Sequence, residues 1–157
     1  MKPRFIFKTE KREILELLGH FGITELPYLL VASGKEKIRG YSGILSTDEL
    51  IEIDEAVGIE LIGAYFFHYY ENNLRLAPDA IHLLKDKITK NIIEIDEKQA
   101  KEWFKGQDIL LTKEEQEKLK DESKTFKVIK FQGDLIGSGK LTEGRIVNYM
   151  PKERRLK

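Results

Sequence analysis

Glycines next to a lysine suggest phosphate chemistry, and the run Gln132-Gly133-Asp134-Leu135-Ile136-Gly137-Ser138-Gly139-Lys140-Leu141 offers both. A phosphate-binding loop needs G-x-x-x-x-G-K-[ST] between a strand and a helix, so that backbone N–H groups and a helix N-terminus surround the anion. With Gly139-Lys140 set on that pattern, Asp134 stands where the first glycine belongs and Leu141 where the Mg2+-binding hydroxyl belongs. The residues after Lys140 read as a turn and another strand, not a helix. The loop is therefore excluded. The run reads instead as a strand on which Gly137 and Gly139 leave one face bare, and glycines so placed mark the close approach of a neighbouring helix or of a ligand.

Other residues capable of chemistry are sparse. His20, His68 and His82 form no H-E-x-x-H pair, and the chain has no cysteine to complete a metal site or act as a thiolate. No serine sits in a G-x-S-x-G elbow. Asp54 and Glu55 read as a solvated helix face rather than an acid–base pair. The chain is expected to be non-catalytic, with no metal and no cofactor. The densest functional signal lies near the end: Lys140, Arg145, Asn148, Tyr149, Lys152, Arg154 and Arg155 place cations, an amide and a ring within sixteen residues. Phosphates call for Lys and Arg, and unstacked bases call for rings and amides. Pro151 is expected to hold the chain extended after the last strand, presenting "KERR".

Charge supports the same end of the chain. The net charge is zero, yet residues 126–157 carry eight Lys/Arg against three Asp/Glu, while 26–93 and 94–125 each carry seven against ten. An anionic partner is expected at the basic end. The first residues are charged and do not read as a signal peptide, and no apolar run reaches the ~20 residues of a membrane helix. A soluble, cytoplasmic protein without membrane contact is expected. The Lys, Glu and Ile content without cysteine leans towards a thermophile.

The elements that must position these residues read as two units. In residues 1–90, Thr9 is a candidate cap for a helix with Ile14, Leu15, Leu17, Leu18 and Phe21 on its apolar side, ended by Gly22. Two strands flank a turn at Gly34-Lys35-Glu36, and Ser46 with Glu49 forms a capping box for a helix at 47–57. An aromatic run comes next, and Tyr65, Phe66, Phe67, Tyr69 and Tyr70 admit two readings: a base-stacking platform, or, preferred here, a strand with Tyr65, Phe67 and Tyr69 in the core and Phe66, His68 and Tyr70 on the other side. After a turn at Asn72-Asn73, Pro78 starts a short helix. In residues 91–157, "NIIEI" reads as a strand. Asp96 with Gln99 caps a helix whose apolar side is Ala100, Trp103 and Phe104 and whose C-cap is Gly106. Thr112 with Glu115 starts a charged surface helix. Three strands complete the unit, with turns at Gly133-Asp134 and Glu143-Gly144. The fold class is α+β.

Ala100, Trp103, Gly106, Asp108, Gly133, Ile136-Gly137, Lys140, Gly144, Arg145, Asn148, Pro151, Lys152 and Arg155, taken together, resemble a PUA domain, the pseudouridine synthase and archaeosine transglycosylase module. The resemblance spans about residues 94–156 and is nearest to the PUA-like domain of Nol/Nop/Sun-type RNA 5-methylcytosine methyltransferases. It implies a C-terminal β pseudobarrel with flanking helices that binds structured tRNA or rRNA. It further implies that Lys105 and Gly106, at the helix exit, lie near the RNA with the basic strands. The N-terminal α+β unit occupies the place of a pre-PUA domain, an arrangement that resembles archaeal stand-alone proteins of ribosome biogenesis. One departure matters: those methyltransferases attack cytosine with a cysteine, and this chain has none. The expected partners are RNA and proteins of ribosome biogenesis or RNA modification. The rival expectation is a protein-interaction scaffold or accessory subunit of a modifying enzyme.

Overall fold

The computed structural model describes residues 2–122 and 125–157. It contains two compact units, Met1–Ile88 and Thr89–Lys157, each built on its own five-stranded sheet.

In the first unit the order is β1 (Arg4–Phe5), α1 (Lys8–Leu18), a 3-10 turn (Gly19–Phe21), β2 (Leu29–Ser33), β3 (Lys37–Tyr41), α2 (Thr47–Val57), β4 (Ala64–Tyr70), β5 (Asn73–Leu76) and α3 (Pro78–Leu83). The strands pair antiparallel in chain order. The Ser46–Glu49 capping box forms as expected. Thr9 does not cap α1: the N-cap is Phe7, without a side-chain cap. The cause is tertiary. Ile6 N–H donates to Leu30 O, so β1 runs straight into the helix and fixes its start two residues early.

The aromatic strand also departs from simple alternation. Phe66 and Phe67 are both fully buried, while Tyr65 and Tyr69 are only partly so. The pairing explains this. Ile38 faces Phe67 and Arg39 faces Tyr65, so Phe66 is the extra residue of a β-bulge. Both phenylalanines thereby lie on the side of Gly40, where an added Cβ would collide with the Phe66 ring.

The second unit runs β6 (Ile92–Glu94), α4 (Glu97–Phe104), β7 (Ile109–Leu110), α5 (Lys113–Leu119), a 3-10 turn (Lys120–Glu122), β8 (Phe126–Phe131), β9 (Asp134–Thr142), β10 (Arg145–Asn148) and a 3-10 turn (Lys152–Arg154). The sheet order is β6-β8-β9-β10-β7, with β6 parallel to β8 and the other pairs antiparallel. This curled half-barrel sheet with its helices is a PUA-like pseudobarrel, and the whole chain is α+β. Its core is Ile95, Ala100, Trp103, Ile109, Ile129, Leu141, Ile146 and Met150. The turn before β9 centres on Gln132 and Gly133, both at positive φ, one residue earlier than expected. Lys127 is buried, and its ammonium meets the Glu122 carboxylate and, at 2.6 Å, Asn91 Oδ1. A buried ammonium needs such partners, because removing an unpaired charge from water is costly.

Candidate nucleic-acid interface

The bare side of β9 is occupied by a tryptophan. A Cβ at Gly137 would lie 3.2 Å from Trp103 Nε1, and one at Gly139 would lie 3.1 Å from the same indole and collide with Ile146. The glycines therefore admit α4 against the sheet, which decides between a helix and a ligand in favour of the helix. Trp103 is fully buried, and its indole N–H has no hydrogen-bond partner among the described residues. The Asp96–Gln99 capping box starts α4. Its end is a Schellman motif: Gly106 N–H donates to Trp103 O and Gln107 N–H to Glu102 O, with Gly106 at φ +86.

Further groups fix this helix exit. Asn148 is buried on β10. Its Nδ2 donates to Trp103 O and Gln107 O at 2.8 and 2.9 Å, and its Oδ1 accepts from Met150 N–H at 2.7 Å. The Asn148 N–H donates to Asp108 Oδ1, while the other Asp108 oxygen lies 3.3 Å from Arg145 Nη1. Arg155 Nε donates to Met150 O, and its side chain lies over Gly106, where a Cβ would collide with it. Leu156 N–H donates to Phe104 O. The tail is thus folded back on α4, and the expectation of an extended "KERR" holds only through Pro151, whose ψ is 140.

These contacts sort the expected site residues. Gly106, Asn148 and Arg155 build the helix exit. Lys105, Lys152 and Arg154 are exposed around it. Arg145 is half exposed and held by Asp108. Lys140 and Tyr149 belong to the opposite face of the sheet from Trp103, since Gly139 and Leu141 point to the core. There Lys140 Nζ lies 5.4 Å from the Phe126 ring centre, and Phe126 meets Tyr149 edge-on at 5.8 Å. Phe126 was not among the expected site residues. Its signal is the pairing Phe126–Lys140 across β8 and β9, which no local pattern announces. The result is a cation over a ring on one face, and a rim of Lys and Arg at the helix exit.

Residues 90–156 match the family model of the methyltransferase RsmF PUA domain. The PUA domain points to RNA binding of the kind used in RNA-modification enzymes. No curated protein matches the chain. Among the described residues no group of three or more His, Cys, Asp or Glu is placed to hold a metal ion, and no helix is long and apolar enough to cross a membrane.

Proposed function

We propose that the chain is a non-catalytic RNA-binding protein in which the PUA domain holds structured tRNA or rRNA, in ribosome biogenesis or RNA modification. The observation that carries this is the exposed cation set Lys105, Lys152 and Arg154 around a hydrogen-bonded helix exit within a domain that matches the RsmF-type PUA family model. Lys140 over Phe126 adds a phosphate contact beside a ring. Phosphate contacts of this kind position RNA and make its affinity depend on salt. The absence of cysteine from the sequence supports a role without methyl transfer by thiolate attack.

The test replaces Lys105, Lys140, Lys152 and Arg154 by Gln and measures affinity for deproteinised tRNA and for rRNA fragments across a salt series. Arg145 and Arg155 are left intact, because each also holds the fold together. The expected outcome is weaker binding, with a salt slope lower by roughly one per lost phosphate contact.

A second reading, a protein-docking accessory subunit, has its own observation. Residues 42–63 carry six Asp/Glu and no Lys/Arg, with Ile44, Val57 and Leu61 exposed at 100%, 78% and 63%. Unchanged RNA affinity in the fourfold variant, together with RNase-resistant capture of a basic protein that Val57→Lys abolishes, moves the assignment to that reading.

A further inference from the structure

The two faces of the N-terminal sheet are not equally covered. On one, Leu30, Ile38, Phe66, Phe67 and Leu76 are buried, with α3 packed on β4 and α1 on β5. On the other, Phe5 and Val31 form a cluster with Leu50 of α2 and with Ile62. Past that cluster the same face continues across β3, β4 and β5 with Lys37, Tyr65, His68, Tyr70 and Arg75.

The register puts these residues together. Lys37 pairs with His68, and His68 pairs with Arg75, so a lysine, a histidine and an arginine stand side by side on three adjacent strands. Neighbouring strands lie about 4.8 Å apart, so the row spans roughly 10 Å. The bulge at Phe66 brings Tyr65 onto this side, with the Lys37 ammonium 5.7 Å from its ring centre. Tyr70, two residues beyond His68, is half exposed and pairs with Asn73. The groups facing His68 are Glu36, whose carboxylate lies 3.7 Å from Nε2, together with Lys37 and Arg75. Burial first, then Arg75 and Lys37, holds the imidazole below its ordinary pKa against the pull of Glu36. It is therefore neutral at neutral pH, and an anion placed beside it would favour the protonated form.

We infer that this face binds a single-stranded segment of RNA, its phosphates along the Lys37–His68–Arg75 row and its bases against Tyr70 and Tyr65. Cations that follow a backbone beside rings that accept any base are how unpaired strands are held without strict sequence readout. A free phosphate uses the cations but leaves the tyrosines idle. An acidic protein segment uses them too, but has no flat ring to stack on Tyr70. The inference rests on the RNA-binding reading and extends it to the N-terminal unit.

The experiment uses the full chain and three probes: a labelled oligouridylate of about ten nucleotides, deproteinised tRNA, and inorganic phosphate. Lys37→Gln with Tyr70→Ala is expected to weaken the oligouridylate ~10-fold, while Tyr70→Phe, which keeps the ring, retains affinity. In NMR titrations the His68 imidazole, assigned with H68Q, is expected to gain protonation with the oligouridylate and not with phosphate at equal concentration. Unchanged oligouridylate affinity in the double variant, or a His68 signal unmoved at saturation, overturns the inference, as does an equal response to phosphate alone. The fourfold C-terminal variant keeps the two readings apart. Loss of tRNA binding there, with oligouridylate binding intact and sensitive to Tyr70→Ala, supports both. Insensitivity of tRNA binding there, with the Tyr70→Ala effect intact, sinks the C-terminal reading alone. No binding of either RNA sinks both.

Discussion

A methyl group at position 106 would have to occupy space that Arg155 fills, and it would sit on a backbone at φ +86 that favours glycine. Gly106→Ala is therefore expected to destabilise the C-terminal unit by ~1–3 kcal/mol. Gly139→Ala should cost a similar ~1–3 kcal/mol by overpacking against Ile146 and Trp103. Gly137→Ala should cost less, because there only the indole must shift by a few tenths of an ångström. Urea unfolding followed by the fluorescence of Trp103, the single tryptophan of the chain, reads all three in this unit. At this scale the sequence is legible in part. The alternation of Gly137 and Gly139 announces a face kept clear, but Trp103, more than thirty residues earlier, is what fills it. Asn148 shows the converse. Its type and place beside Arg145 suggest a polar contact to a ligand, whereas its three side-chain hydrogen bonds go to the backbone of this unit.

Capping boxes were the most legible elements. Ser46–Glu49, Asp96–Gln99 and Thr112–Glu115 all form, because a side chain and a backbone N–H three residues apart need no help from the rest of the fold. Their loss should nevertheless be felt differently. Asp96→Ala and Thr112→Ala each remove a similar local ~0.5–2 kcal/mol. α4 carries Ala100 and Trp103 into the core, while α5 buries no residue. Asp96→Ala should therefore lower the Trp103 unfolding midpoint. Thr112→Ala should leave it nearly in place and appear as faster amide exchange within 113–119. The elements that misled were set by pairing. α1 starts at Lys8 because β1 docks on β2, and the side taken by Phe66 and Tyr65 is decided by a bulge that periodicity does not contain. The two-residue edge strands β1 and β7 are too short to leave a pattern.

Charge is unevenly spread along the chain: 42–63 carries six Asp/Glu and no Lys/Arg, and 126–157 carries eight Lys/Arg against three Asp/Glu. This division is readable directly from the sequence. pH should act on the N-terminal unit through His68. Its folded pKa lies below the ordinary 6.5, held there chiefly by burial and then by Arg75. The unfolded chain thus binds the proton more readily. The stability that the neutral imidazole confers is present above pH ~6.5 and is lost as pH falls towards and through the folded pKa. Tyrosine-monitored unfolding of the wild type should weaken over that window, and His68→Gln should flatten the dependence.

The parallel partnership of β6 with β8 has a kinetic consequence. In the N-terminal sheet every strand lies beside its neighbour in sequence, so pairing can proceed in the order in which the chain is made. β6 instead waits for β8, with residues 95–125 between them. Closing such a gap spends chain entropy before the contacts return it. During synthesis β6 leaves the ribosome long before its partner exists. Its Ile92 and Ile93 then lack Val128 and Ile129, the residues they face in the finished sheet, until the chain has lengthened that far.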